Sequence, residues 1–142
     1  MKYIKRDIEG ILIVNKQETI IKSSLLKHIN RLCMKSGSTY NGRIASLKYV
    51  MNRKGLVPLY VNNQELYIFS KNIREWDVVL VNYHRILSYR KYCYNQVLVV
   101  FDDLTEIRLD VTFNRFRIQY DIAQFIISVF LWKKVFTFGL YK

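Results

Sequence analysis

Eight basic side chains occur within residues 19–64, a stretch that contains no acidic residue. Lysine and arginine neutralise phosphate groups, and each contact releases a counterion condensed on the nucleic acid. Roughly six such contacts would give log K against log salt a slope of about −5. The stretch therefore predicts a phosphate-binding surface, although a solvated side chain is the alternative for any single lysine. The eight are Lys22, Lys27, Arg31, Lys35, Arg43, Lys48, Arg53 and Lys54.

Three of these basic residues lie four positions apart on one predicted helix. Lys27, Arg31 and Lys35 share a face because residues i and i+4 are neighbours on a helix, and His28 lies beside them. The apolar residues of the segment repeat at helical spacing on the opposite face. They are Leu25, Leu26, Ile29, Leu32 and Cys33. The spacing predicts an amphipathic helix of about three turns with one basic face.

Residues 36–42 contain two glycines and several hydroxyl or amide side chains, including Ser38 and Asn41. This composition predicts an irregular loop whose backbone N–H groups are available to an anion. Arg43 follows, and it is the best candidate for a base contact because narrow A·T-rich minor grooves attract inserted arginine. Tyr40 has two interpretations, either a stacking or phosphate contact or a ring that caps the core beneath the loop.

Basic and aromatic residues also alternate in a second region, residues 83–94. Arg85, Arg90 and Lys91 are interspersed with four tyrosines and no acidic residue. Hydroxyl contacts to phosphate and cation–π interactions would suit such a pattern. We take this region as a second basic patch, with a solvated loop as the alternative interpretation.

Enzyme and metal chemistry receive little support from the residue pattern. His28 and His84 have no second ligand at metal-binding spacing, so we expect no metal and no cofactor. Asp102, Asp103 and Glu106, with Arg108, could imitate the carboxylate cluster of a metal-dependent nuclease. A hairpin turn followed by an alternating strand explains the same residues without catalysis, and we expect the protein not to be an enzyme.

The chain of 142 residues carries a formal charge of +12, and 51% of its residues are hydrophobic. It therefore folds, and its positive field favours polyanionic partners. Cys33 and Cys93 form no CxxC motif, which fits a reducing, cytoplasmic location. The apolar runs are too short for a secretory signal or a membrane span, so we expect no membrane partner. The alternative is a membrane-surface protein that uses residues 125–138 with Lys133 and Lys134 on an interfacial helix.

The spacing of apolar residues and turn residues along the chain predicts a single α+β domain over residues 1–142. The domain would contain antiparallel β-hairpins, a meander and two main helices. Asn114 is the expected N-cap of an apolar C-terminal helix over residues 115–133. Residues 44–51 are a candidate second short helix. The predicted strands, two hairpins and a meander among them, cover residues 8–14, 19–22, 59–61, 65–69, 78–81, 96–101 and 105–111.

A block of this chain resembles the signature of the competence transcription factor family (ComK). Ser36-Gly37-Ser38-Thr39-Tyr40-Asn41-Gly42-Arg43, followed by Lys48, is similar to the family's Gly-Ser-Ser-Tyr-x-Gly-Arg motif. Two further blocks follow in the family's order, so that the resemblance spans about residues 8–120. Three blocks in series are far more specific than any one of them.

The second block is similar to the family's lysine-proline, hydrophobic-phenylalanine and tryptophan segment. It comprises Val57-Pro58, Leu66-Tyr67-Ile68-Phe69-Ser70 and Trp76, and it lacks the cysteine expected just before the tryptophan. The third block, Thr112-Phe113-Asn114-Arg115-Phe116 with Gln119, is similar to the family's Ser-Tyr-Asn-Ser-Phe-x-x-Gln motif.

The resemblance implies a bacterial transcriptional activator of DNA-uptake genes. Members bind A·T-rich duplex DNA through the minor groove as homo-oligomers, with RNA polymerase and a proteolytic adaptor as further partners and the nucleoid as the place of action. The tail after Gln119 is short and apolar, so adaptor contacts made by longer relatives need not be retained. The residues expected to contact DNA are Lys27, Arg31, Lys35, Ser38, Tyr40, Asn41, Arg43, Lys48, Arg53 and Lys54.

Overall fold

The computed structural model describes the backbone of residues 1–140 and the side chains of residues 1–129. Nine strands and three α-helices follow one another within these residues, with a short 3₁₀ turn, Tyr83–Arg85, after the sixth strand. The strands are β1 Tyr3–Asp7, β2 Gly10–Val14, β3 Glu18–Ile21, β4 Leu59–Asn62, β5 Glu65–Phe69, β6 Val79–Asn82, β7 Ile86–Cys93, β8 Gln96–Phe101 and β9 Glu106–Leu109. The helices are α1 Leu25–Lys35, α2 Tyr40–Met51 and α3 Phe113–Leu140.

The strands form two antiparallel sheets. The six-stranded sheet has the order β3-β2-β1-β6-β5-β4, and the three-stranded sheet has the order β7-β8-β9. This arrangement confirms the predicted α+β class. The hairpins expected around residues 15–17 and 62–63 and the meander after Phe101 are confirmed by the β2–β3, β4–β5 and β8–β9 pairings.

Strand β5 explains how the molecule holds two hydrophobic cores. Successive side chains of a strand point to opposite faces of the sheet. Tyr67 and Phe69 pack into a core beneath α1, whereas Leu66 and Ile68 pack into a second core with the three-stranded sheet and α3. Because both faces are covered, β5 is a nearly continuous apolar run.

The β1–β2 turn requires a glycine at its end. Gly10 has φ +147°, and a Cβ on it would lie 2.1 Å from the carbonyl oxygen of Ile21. Only glycine combines that backbone conformation with so close an approach of the neighbouring chain. The turn fixes the register in which β2 pairs with both β1 and β3.

Strands β1 and β7 were not predicted, and their compositions explain why. In β1 only Ile4 is buried among charged neighbours, and β7 is an edge strand with no buried residue. The hydrophobic alternation that indicates a strand is therefore weak in both. Strand β1 forms by pairing with β2 and β6, and β7 forms by pairing with β8. These pairings depend on tertiary structure and leave no local signal in the sequence.

The helix boundaries also differ from expectation. Helix α2 begins at Tyr40, inside the expected irregular loop, because the Thr39 hydroxyl accepts from the Gly42 N–H and caps the helix. Helix α3 begins at Phe113 and is a third main helix with α1 and α2. The Thr112 hydroxyl, not Asn114, accepts the Arg115 N–H, and the helix runs to Leu140 instead of residue 133. The predictions that involve the side chains of residues 130–142 lie outside the described residues.

Candidate nucleic-acid interface

Helix α1 presents three exposed cations on the face away from the core. Lys27, Arg31 and Lys35 are exposed, while Leu25, Ile29 and Cys33 on the opposite face are buried. The Ser24 hydroxyl accepts from the Lys27 N–H and fixes the start of the helix. We call these three residues the α1 face. The predicted amphipathic helix is confirmed, and its basic side is open to solvent.

His28 shows how crowded the positive charge is on this helix. Burial lowers its pKa, and the charges of Arg31 and Lys35 lower it further, whereas Glu65 acts in the opposite direction. Its Nε2 atom is buried and has no hydrogen-bond partner. The imidazole is therefore neutral near pH 7, and the charge of the α1 face comes from lysine and arginine.

Residues 36–39 join α1 to α2. The Tyr40 N–H donates to Asn30 Oδ1 at 3.0 Å, and the Gly42 N–H donates to the Thr39 hydroxyl. These amides are therefore already bonded within the protein, and the expected anion-binding loop is reduced to a helix–helix link. Ser38 is half-buried at this link, and Asn41 is exposed on the first turn of α2.

Arg43 holds the link against the six-stranded sheet. Its Nη1 donates to the carbonyl oxygens of Tyr60 at 2.8 Å and Val61 at 3.0 Å, and its Nη2 donates to the carbonyl of Ser36 at 2.9 Å. The guanidinium thus connects the end of α1, the start of α2 and β4. A contact between Arg43 and a base stays a prediction, and it would require these bonds to be exchanged.

Tyr40 takes the second of its two predicted roles in the structure. Its ring stacks on Phe69 with centroids 6.5 Å apart, and it packs against the core beneath α1. Burial raises the pKa of its hydroxyl. The ring stabilises the position of α2 on the sheet, and a contact between Tyr40 and DNA stays a prediction.

The remaining basic residues of the acid-free stretch lie elsewhere. Lys48, Arg53 and Lys54 line a cleft of about 1260 Å³. None of the residues lining this cleft belongs to α1. The structure therefore places six of the eight predicted cations in two clusters, the α1 face and this cleft, whereas Arg43 holds the link and Lys22 belongs to neither cluster.

Residues far apart in the sequence form the other walls of the cleft. The turn between β7 and β8, Tyr94 and Asn95, contributes one wall, and Arg115 at the start of α3 contributes another. We call the paired strands β7 and β8 the ribbon and this space the ribbon cleft. Sequence reasoning did not single out Arg115, because the cations that it joins in the cleft, Lys48, Arg53 and Lys54, are more than sixty residues away in the sequence.

The second basic patch is not one surface. Arg85 pairs with Asp102, from Nε to the two carboxylate oxygens at 3.0 and 2.9 Å, and also donates to Asn15. Arg90 and Lys91 are both exposed, but they are consecutive in β7 and project to opposite sides of the ribbon. On the side of Arg90, Arg108 lies over the ring of Tyr92 at 4.7 Å.

Two of the three carboxylates considered for a nuclease, Asp102 and Asp103, are used in structural contacts. Asp103 accepts from Lys2 and from the Thr105 hydroxyl, and these bonds hold its pKa well below its usual range. Asp102 pairs with Arg85. Across the described residues, histidine, cysteine and carboxylate side chains form no group of three or more that could hold a metal ion.

The long helix α3 bears on the membrane alternative. Within the part of the chain that the structure describes, no helix has both the length and the apolar character needed to cross a bilayer. The first half of α3 packs on the three-stranded sheet through Phe116, Ala123 and Ile126, which are buried. The proposed interfacial segment, residues 125–138, lies partly outside the described side chains.

Comparison with models of known protein families gives a match over most of the chain. A family model described as ComK protein matches residues 2–133 of the 142-residue chain. The match covers both sheets, α1, α2 and the first three-quarters of α3. No curated protein and no solved structure matches the chain.

Proposed function

The chain belongs to the ComK family of competence transcription factors, and we propose that it activates DNA-uptake genes by binding A·T-rich duplex DNA. Transcription factors act on DNA, so the family membership makes DNA the expected partner. The proposal also places the protein on the bacterial nucleoid as a homo-oligomer. RNA polymerase and a proteolytic adaptor are further partners in this proposal.

The α1 face is the observation that carries the proposal. Its three cations are four residues apart, which corresponds to steps of about 6 Å along a helix axis. Phosphates of one DNA strand are spaced by about 3.4 Å along the duplex axis, so the two steps between the three cations follow a short run of the backbone. Helix α1 itself contains no acidic residue that would repel phosphate.

We propose that residues at the link between the helices reach a groove once α1 lies on the DNA backbone. Asn41 is exposed on the first turn of α2, and Ser38 lies just before that turn. An amide can accept and donate hydrogen bonds at base edges. We propose that these two side chains approach the minor groove, with Arg43 holding the link that presents them.

One structural observation favours a second candidate groove. Four residues, among them Gly37, join α1 to α2, and this length is typical of helix–turn–helix units. In such units the second helix enters the major groove. The exposed residues of α2 include Asn41, Ala45 and Tyr49, which share one face.

A shift assay on matched duplexes tests the proposed function. Purified protein is titrated on A·T-rich and G·C-rich duplexes of equal length, with heparin as competitor, over a series of salt concentrations. We expect tighter binding to the A·T-rich duplex and a steep salt dependence. Equal affinity for both duplexes would contradict selective binding, and the absence of binding to either would contradict the proposed function.

The choice of groove needs its own measurement. A small minor-groove ligand added to the A·T-rich duplex should displace the protein if Asn41 and Ser38 approach the minor groove. A bulky substituent on the thymine C5 position, which lies in the major groove, should leave binding unchanged. The reverse pattern would support entry of α2 into the major groove.

A further inference from the structure

The ribbon cleft has the size and lining of a site for a polymer. Its volume of about 1260 Å³ exceeds the range of about 300–1,000 Å³ that is usual for small-molecule pockets. Small-molecule pockets are lined mainly by apolar side chains, but most residues of this cleft are polar or charged. Its walls come from the end of α2, the β5–β6 connection, the turn of the ribbon and the start of α3.

Four cations of the cleft are available to an external anion. Lys48, Arg53, Lys54 and Arg115 take part in no salt bridge among the residues whose side chains are described. The fifth, Lys71, is already paired with Asp77. The acidic residues of the lining are Glu75 and Asp110, and Asp110 accepts a hydrogen bond from Gln96 at 2.9 Å. Positive charge therefore exceeds negative charge on the cleft walls.

Two buried polar atoms of cleft residues have no partner. Gln119 is 5% exposed, and its amide nitrogen donates to the Leu56 carbonyl while its Oε1 has no hydrogen-bond partner. Arg53 Nε is likewise buried and unpartnered. A buried polar group without a partner costs free energy, and such groups commonly indicate a missing ligand or water. Both belong to residues that line the same cleft.

The turn of the ribbon places an aromatic side chain at the mouth of the cleft. Asn95 has φ +60°, and this left-handed residue closes the tight turn between β7 and β8. Tyr94 beside it is 84% exposed. A large aromatic ring with a hydroxyl group, exposed at the end of a two-stranded ribbon, is suited to pack on a sugar and to hydrogen-bond a phosphate.

We propose that the ribbon cleft binds the sugar–phosphate backbone of duplex DNA as a second contact, separate from the α1 face. Arg53, Lys54 and Arg115 contact phosphates, and Tyr94 contacts an adjoining sugar and phosphate. This inference rests on the proposed function, because it assumes that DNA is the partner. It adds Arg115 and Tyr94 to the interface, and it makes the protein hold the duplex at two places.

The first turns of α3 provide a matched pair of variants. Arg115 and Arg117 are both exposed, but Arg115 lines the cleft whereas Arg117 lies 3.6 Å from Asp121 and also donates to Asn114. Arg115→Ala should reduce the steepness of the salt dependence by about one and weaken binding about fivefold near 0.15 M salt. Arg117→Ala should change neither by a measurable amount. Binding to the A·T-rich and G·C-rich duplexes should weaken alike in Arg115→Ala, because phosphate contacts carry no base information.

Tyr94→Ala gives a second measurement that does not depend on charge. We expect it to weaken duplex binding about fivefold without changing the salt dependence, because a neutral side chain that packs on a sugar and hydrogen-bonds a phosphate releases no counterion. The inference is overturned if Arg115→Ala behaves like Arg117→Ala and Tyr94→Ala binds like the unmodified protein. Unmodified protein that still binds DNA in that case would leave the proposed function standing, whereas unmodified protein that binds neither duplex would contradict both.

Discussion

The α1 face and the ribbon cleft are both basic, but they are built in different ways. The α1 face comes from one helix, in which four-residue spacing places three cations side by side. The cleft comes from four segments spread over residues 48–119, and its cations meet only after both sheets have formed. The comparison teaches that a charged surface on one element is encoded by local spacing, whereas a surface between elements is encoded by the packing that places them.

The two regions also differ in what they can recognise. The α1 face is exposed along its length and can follow a phosphate backbone without enclosing it. The ribbon cleft has walls on several sides and an exposed tyrosine at its mouth, so that it can restrict the orientation of a strand. We propose that the α1 face supplies affinity and that the cleft, with the link before α2, supplies orientation.

Removal of the α1 face should have the largest effect on DNA binding. We expect Lys27→Ala, Arg31→Ala and Lys35→Ala together to weaken duplex binding roughly 100-fold near 0.15 M salt, because three phosphate contacts are lost. The slope of log K against log salt should become less steep by nearly three, and the change should be equal on A·T-rich and G·C-rich duplexes. Fluorescence anisotropy over a salt series measures both quantities.

The control for this triple variant is its stability. All three side chains are exposed, and only Arg31 makes a side-chain contact, to the Ser23 hydroxyl at 2.6 Å. The urea midpoint should therefore change little. Retention of full affinity by a folded triple variant would assign DNA binding to the ribbon cleft alone.

Arg43→Ala should mainly affect folding. The substitution removes the donors to the carbonyls of Tyr60, Val61 and Ser36, and hydrogen bonds to charged groups contribute about 1.5–3 kcal/mol each in favourable cases. Because the three bonds share one guanidinium, we expect a loss of about 2–3 kcal/mol in the free energy of unfolding. Urea denaturation followed by circular dichroism measures it.

This variant also separates the two roles considered for Arg43. If Arg43 contacts a base, Arg43→Ala should reduce the preference for A·T-rich over G·C-rich duplexes in protein that is still folded. If it only holds the link, both duplexes should be affected alike and in proportion to the unfolded fraction. An unchanged unfolding free energy would contradict the structural role.

The sequence predicted the elements whose signals are local. Buried and exposed positions of α1 and of the β2–β3 and β8–β9 hairpins follow from helical periodicity, strand alternation and turn residues. Helix α2 has no fully buried residue, so apolar periodicity could not indicate its start. Its cap, Thr39, stands among serine and glycine residues that equally suit a loop.

Long-range contacts explain why the site could be predicted only in part from the sequence. The partners of Arg43 on β4 are 17 and 18 residues away, and no local pattern relates an arginine to backbone carbonyls at that distance. Arg53 and Arg115 are also far apart in the sequence, so no local pattern indicates that they line the same cleft. The alternation of tyrosine and arginine in β7 suggested one patch, but strand geometry places Arg90 and Lys91 on opposite sides.

Acidification should distinguish His28, which lies among the charges of the α1 face, from the more exposed His84. The pKa of His28 is lowered by burial and then by Arg31 and Lys35, whereas the pKa of His84 is lowered by burial alone. Because these pKa values are lower in the folded protein, each group contributes stability that is present above about pH 6.5 and is lost as the pH falls below it. His28→Gln and His84→Gln should each make stability less sensitive to acid.

Salt separates the two histidines. Added salt screens the repulsion from Arg31 and Lys35 but leaves the effect of burial largely intact. Urea midpoints at pH 7.5 and pH 5, measured at low and high salt, should show that salt reduces the acid sensitivity due to His28 more than that due to His84. The same salt response for both histidines would mean that the charges of the α1 face do not act on His28.

The smallest effect on DNA binding is expected for Arg85→Ala. The Arg85 guanidinium is engaged with both oxygens of Asp102 and with Asn15, so its charge is already neutralised within the protein. An ion pair with a partly exposed carboxylate contributes about 1 kcal/mol or less to stability. We therefore expect duplex affinity within about twofold of the unmodified protein and an unchanged salt dependence.

Comparison of Arg85→Ala with Arg115→Ala tests what makes a cation contact DNA. Both residues lie in basic regions, but Arg85 is paired with a carboxylate, whereas Arg115 is in no salt bridge among the described side chains. If Arg85→Ala makes the slope of log K against log salt less steep by about one, the second basic patch contacts DNA. DNA binding would then not be confined to the α1 face and the ribbon cleft.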